Sequence, residues 1–241
     1  MPTSKSLSLT TGLLALSGGI AVISGVTGLT QIFGYPDIIR QPPSVILEKL
    51  YETRHIVPFL YYFGVGGAGL STIFFATLFG KMLQLKGDGT WAPLGKICGI
   101  ISGLLLYVGI IRYSILFPKL AELRHFNEYP PEMVDLVFRT INIYVGESVA
   151  EHAQFLFTAL MMTFFGVSIC KTRLLPLWLA YFAFIIAVVD IIGNFEHFGC
   201  SFAFAFNRTG PKLFALWMLC SGVILIYNCV RRKARFPSVQ N

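Results

Sequence analysis

Apolar residues in this chain come in long unbroken runs, not in the alternation of a half-buried strand or the single stripe of a soluble helix. Runs near 11–33, 56–79, 97–117, 146–170, 174–195 and 211–230 each reach the length of about 20 residues that a helix needs to cross a bilayer. The pattern predicts an all-α fold, a six-helix transmembrane bundle forming a single domain over 1–241. The first run follows Lys5, as a signal peptide would, but it exceeds the apolar core of such a peptide and no small-x-small site closes it. Between the third and fourth runs the period changes. Val134, Val137, Phe138, Ile141 and Val145 recur at helical spacing, with Glu132, Asp135, Arg139 and Asn142 opposite. This predicts an amphipathic helix over 131–145, lying at the outer interface before Gly146 as a cap or lid.

Composition supports the bilayer as the solvent. Of 241 residues 55% are hydrophobic and 13% charged, and the mean hydropathy is +0.68, whereas a soluble domain carries about 25% charged residues. The net charge of +7 is scattered between the apolar runs, so no nucleic-acid partner is expected. The one dense basic cluster, Arg231, Arg232, Lys233 and Arg235, directly follows the last run and reads as a cytoplasmic flank. An even number of spans puts both termini on one side. With that side inside, Lys5, Lys81, Lys86, Lys96, Lys171 and Arg173 are internal too, and Asp88 is the sole internal acid. The expectation is a multi-pass protein of the cytoplasmic membrane with both termini cytoplasmic. Cys98, Cys170, Cys200, Cys220 and Cys229 show no zinc-finger spacing, and only Cys200 falls near the outer face, so neither a structural metal nor an intrachain disulfide is expected. The sequon Asn207-Arg208-Thr209 reads as a chance match in a short outer loop.

Small residues recur every fourth position at Gly64, Ala68, Thr72 and Ala76 in the second run and at Gly95, Gly99 and Gly103 in the third. Such faces let membrane helices approach closely, so the second and third helices are expected to pack through them. The string Gly64-Val-Gly66-Gly67-Ala-Gly69, with Asp88 some way on, spells a dinucleotide-binding pattern. It lies inside one apolar run, without the strand before it that the motif requires, and reads as helix packing.

Ionisable groups within spans are costly and mark functional hypotheses. Arg112, Glu151 and Asp190 each fall about 7 Å inside the outer end of a span at 1.5 Å per residue. At α-helical spacing Glu147, Glu151 and Gln154 share one face of the fourth helix, and Asp190, Asn194 and His197 one face of the fifth. With His152 these make a candidate polar site: Arg112, Glu147, Glu151, His152, Asp190, Asn194 and His197. The bland alternative is structural pairing, and Arg112 is expected to contact Glu147 or Glu151 directly or through water, because a guanidinium among lipid tails needs an anion. No His-x-x-x-His or Glu-x-x-His pair lies on a span, so no metal or other cofactor is assigned.

The stretches "GIIRYSILFPKLAE" (109–122) and "YVGESVAEHAQFLFTALMMTFFGVSI" (144–169), with "LPLWLAYFAFII" after them, resemble the bacterial membrane family called domain of unknown function 4386. The residues that carry the likeness are Arg112, Tyr113, Pro118, Leu120, Ala121, Gly146, Glu147, Glu151, His152, Leu175, Pro176, Trp178 and Leu179, most specifically over about 105–180. The resemblance implies a polytopic protein of the bacterial cytoplasmic membrane and brings no activity with it. Three functional readings stay open: a non-enzymatic protein that binds a small amphiphile, lipid or partner through its outer half; a proton- or cation-linked transporter component; and a metal-dependent membrane hydrolase.

Overall fold

A computed structural model describes the backbone of residues 4–235 and the side chains of 5–231; the side chains of Arg232, Lys233 and Arg235 of the basic tail lie outside it. The described residues contain helices and no strands. In chain order they are α1 (Ser4–Phe33), α2 (Pro43–Glu52), α3 (Val57–Leu85), α4 (Trp91–Ser114), α5 (Leu116–His125), α6 (Pro131–Thr172), α7 (Leu177–Gly193) and α8 (Ala203–Arg235). Six helical segments, α1, α3, α4 with α5, α6, α7 and α8, are long and apolar enough to cross a membrane.

Local chemistry sets the ends. Gly34, at φ 78°, closes α1 in the left-handed conformation that favours glycine. Pro43, Pro58 and Pro131 occupy the first turns of α2, α3 and α6, where a missing N–H costs nothing. The chain breaks between α4 and α5 at Ile115, because Pro118 can neither donate to the carbonyl of Ser114 nor pack against it. The turn from α3 to α4 is held by Asp88. Its carboxylate accepts the backbone N–H of Thr90, Trp91 and Ala92 at 3.2–3.3 Å, and the Ser168 hydroxyl of α6 donates to it as well.

Each spanning helix packs on the next, and α8 returns to α1, closing a ring. The start of α1 and the last turns of α8 lie at one end, the terminal end, where Cys229 Sγ is 3.5 Å from the Lys5 carbonyl oxygen. At this terminal end the ring is filled by aromatic side chains: Phe75, Phe79, Phe165 and Trp217 meet mostly edge to face at 5.0–6.1 Å, and Trp217 donates to the Leu179 carbonyl at 2.9 Å. A second apolar cluster forms at the distal end, where Leu47 and Leu50 of α2, Phe117 and Leu120 of α5, and Val134 and Phe138 of α6 pack over Phe33, Tyr61 and Tyr113.

Several expectations change. The helix over 131–145 is present, but as the outermost turns of α6, continuous with the fourth span and docked on α2 and α5. Its 42 residues make α6 about 60 Å long, twice the hydrocarbon thickness. The sixth span starts at Ala203, because α8 accommodates Pro211 internally, so the Asn207 sequon lies in a helix and not in a loop. The second and third spans do pack closely, with Gly69 against Gly103 and Ala76 against Gly99, but Gly64 faces Gly25 of α1 and Gly95 faces Phe165 of α6. Gly64 to Gly69 are wholly helical, which removes the nucleotide-binding reading. All five cysteines are free.

Candidate functional site

Between the two apolar clusters the ring is hollow. A cavity of about 550 Å³ is lined by Val22, Val26, Leu106, Ile110 and Phe214 on its apolar walls and by Tyr35, Arg112, Glu151, Gln154, Asp190 and Asn207 among its polar ones. That volume lies in the usual range of small-molecule sites, about 300–1,000 Å³.

Arg112 enters from α4 and is 8% exposed. Its guanidinium donates to the Gly109 carbonyl and, at 3.4 Å, to Asn142 Oδ1, and it lies over the Tyr113 and Phe117 rings at 4.9 and 5.7 Å. Gly146 makes the room: a Cβ there would meet Arg112 Nη2 at 2.5 Å. Among the described residues Arg112 forms no direct ion pair with Glu147 or Glu151; ring faces and neutral acceptors meet the guanidinium. The Arg112 Nε finds no acceptor.

Residues 142–153 wind as a π-helix. Glu147 is exposed and outside the cavity, while Glu151 lines it. Glu151 Oε2 is 3.8 Å from His197 Nε2, and His197 meets His152 edge to face at 5.7 Å. Asn194 donates from Nδ2 to the His152 carbonyl at 3.2 Å, tying the end of α7 to α6. His152, Asn194 and His197 thus form a buttress beside the cavity and do not line it. No group of three or more His, Cys, Asp or Glu able to hold a metal forms among the described residues.

Asp190 is 2% exposed and lines the cavity, with Oδ1 pressed against Gly210 of α8. It makes no hydrogen bond or ion pair among the described residues. Beside it Asn207 Nδ2, on a residue 8% exposed, has no acceptor. Pro211, lacking an N–H, also cannot satisfy the Asn207 carbonyl as the helix pattern would. Deeper in, Gln154 Nε2 donates to Thr158 Oγ1 at 2.7 Å and to Ser102 Oγ at 3.2 Å, and the two hydroxyls lie 2.7 Å apart. This satisfied triad ties α4 to α6 and forms the polar floor.

The distal rim is ionic. Arg40 Nη2 pairs with Glu196 at 2.9 Å and Arg208 Nη1 with Asp37 at 3.5 Å, and both guanidiniums lie over the Phe204 ring, at 4.3 and 5.0 Å. Tyr35 sits beneath. Burial, reinforced by Glu151 and opposed by Arg40, Arg208 and Arg112, pushes its hydroxyl up to about 12, which keeps it a neutral donor.

Sequence reasoning missed Tyr35, Ser102, Thr158, Arg208 and Lys212 and dismissed Asn207. The i, i+4 relation of Gln154 to Thr158 was the available signal for the floor; Arg208 was hidden by reading its segment as a loop. Arg112, Gly146 and Glu151 meet at or beside the cavity. Comparison with family models, curated proteins and solved structures returns no match, so the functional reading rests on this geometry.

Proposed function

We propose that this multi-pass membrane protein is a non-enzymatic binder of a small amphiphile, held in the distal cavity. The observation that carries the reading is a void with largely apolar walls, lined by a buried guanidinium, Arg112, that has no ion-pair partner among the described residues. A buried unpaired cation is costly, and a ligand offering an anionic or acceptor group relieves it. The apolar body of the ligand rests against Val22, Val26, Leu106 and Phe214, and its polar end meets Arg112 and Asn207. The placement we favour is the cytoplasmic membrane with both termini inside. Lys81, Lys86, Lys96, Lys171 and Arg173 lie towards the terminal end of the ring, consistent with positive charge on the cytoplasmic side. The test is native mass spectrometry of protein released from phosphatidylcholine nanodiscs with a single-chain amphiphile added. Stoichiometric binding that Arg112→Leu abolishes supports the reading, and no bound amphiphile at saturating concentration refutes it.

One observation favours a second reading. Glu151 and Asp190 line the same cavity, as a proton- or cation-linked transporter component would require. Uptake into proteoliposomes driven by a proton gradient, lost in Asp190→Asn, would favour transport over simple binding.

A further inference from the structure

The ring is sealed unevenly, and the uneven seam identifies an entrance. Towards the terminal end α1 and α8 are in close contact. A Cβ on Gly12 would meet Ile226 at 2.7 Å, one on Gly19 would meet Leu219 at 2.7 Å, and one on Gly222 would meet the Gly12 carbonyl at 2.8 Å. Beyond Gly19, α1 changes partner. Its next small residues, Gly25 and Gly28, face Gly64 and Leu60 of α3, at 2.8 and 3.0 Å. In the distal half α1 therefore leans onto α3 and away from α8. The faces left apart, Ile23, Thr27 and Thr30 on α1 and Arg208, Pro211 and Lys212 on α8, line the cavity. Ile23, Thr27, Thr30 and Lys212 are exposed, so the cavity wall reaches the protein surface along this seam.

The geometry points to a lateral portal between α1 and α8, through which a single-chain amphiphile with an anionic head enters from the distal leaflet of the bilayer. This rests on the amphiphile-binding reading above and adds to it the charge of the ligand and its route. The route follows from the seam: its α1 edge is apolar or hydroxylic and faces lipid, so an acyl chain can pass without leaving an apolar medium. The charge follows from the α8 edge. Lys212 lies about 13 Å along α8 from its distal end at 1.5 Å per residue, with Arg208 one turn nearer that end. Long cationic side chains at this level reach the headgroup region. Lys212 has no ion-pair partner among the described residues. Inside, Arg112 and Asn207 line the cavity, and the Arg112 guanidinium has no ion-pair partner among the described residues. Arg208 is within reach of Asp37 only at 3.5 Å, an exposed pair that an incoming anion can displace.

The experiment uses the full chain in phosphatidylcholine nanodiscs, with bound molecules counted by native mass spectrometry. The probes are hexadecanoate, hexadecyltrimethylammonium and water-soluble butanoate, and exchange is followed as deuterated hexadecanoate in the lipid replaces the unlabelled molecule on the protein. Wild-type protein binds hexadecanoate in preference to the ammonium amphiphile, and butanoate does not compete. Thr27→Trp and, separately, Ile23→Trp fill the seam and slow exchange about tenfold or more at unchanged stoichiometry. Lys212→Glu weakens hexadecanoate binding about tenfold and does not weaken binding of the ammonium probe. Each variant is checked for an unchanged melting temperature. Unchanged exchange in both tryptophan variants, or equal competition by butanoate, overturns the portal and leaves amphiphile binding standing. Preference for the ammonium probe overturns the anionic assignment. Failure of wild-type protein to bind either amphiphile overturns the binding reading and the portal together.

Discussion

Asp88 offers the sharpest quantitative test of the architecture. Its carboxylate is 4% exposed, accepts three backbone N–H groups at the start of α4, and receives the Ser168 hydroxyl from α6. Loss of a helix-start acceptor costs about 1 kcal/mol. Loss of a hydrogen bond to a charged group adds about 1.5–3 kcal/mol. Asp88→Ala should therefore destabilise the protein by about 3 kcal/mol. Ser168→Ala alone should cost about 1–2 kcal/mol, because the backbone donors remain satisfied. In the Asp88→Ala background Ser168→Ala should add little, giving a coupling of about 1 kcal/mol or more. The assay is unfolding from lipid–detergent micelles by a denaturing detergent, followed by circular dichroism. Burial raises the Asp88 pKa, but the bonds from Ser168 and from the N–H groups of Trp91, Thr90 and Ala92 outweigh it and hold the carboxyl below the ordinary aspartate value of 3.8. A folded value below the unfolded one means that the stabilisation is complete above 3.8 and is lost as pH falls through the folded value. Asp88→Asn should flatten that acid slope. Additive Asp88 and Ser168 effects, or an unchanged slope, would refute the latch.

Helix packing gives a paired prediction: Gly64→Ala should cost about 1–3 kcal/mol, because its Cβ would meet the Gly25 Cα at 2.6 Å. Gly67→Ala, with nothing within 4 Å, should be neutral or stabilising in the same unfolding assay. Gly146→Ala should displace the Arg112 guanidinium and weaken hexadecanoate binding about tenfold, read by native mass spectrometry. With the termini inside, an impermeant maleimide added to intact cells should leave Cys229 unlabelled and label a cysteine placed at Asp37, whose side chain is 75% exposed; the reverse pattern would invert the topology.

Much of this fold was legible because membrane spans announce themselves by uniform runs. The same uniformity blurs ends: the sixth span was read from Pro211 onward, whereas the structure begins α8 at Ala203 and keeps Arg208 helical beside the cavity. The depth of Arg112, Glu151 and Asp190 could be counted from sequence, and all three line the cavity. Their partners could not. Pairing Arg112 directly with a carboxylate was sound electrostatics, but the guanidinium lies over the rings of Tyr113 and Phe117 and donates to the carbonyl of Gly109. Glu147 was grouped with Glu151 by i, i+4 spacing, but Glu147 is exposed outside the cavity and Glu151 lines it. Tyr35 escaped notice because it lies outside every apolar run, and Lys212 because it stands at the very start of the sixth run and was not counted among the charges inside the spans.

The roof and the floor of the cavity are held by different forces. The floor is packing and the closed triad of Gln154, Ser102 and Thr158, which salt does not reach. The roof is fastened by Arg40 and Arg208 gripping opposite acids across one phenyl ring, with side chains 35% exposed. Such exposed pairs are worth about 0–1 kcal/mol each and weaken as ions screen them over about 8 Å at physiological ionic strength. In hydrogen-exchange terms the amides of 37–40 should quicken with added salt while those around Ser102 and Thr158 hold their rate. The ionic strength at the distal face would then set how often the roof opens, independently of how tightly the ring below it is packed.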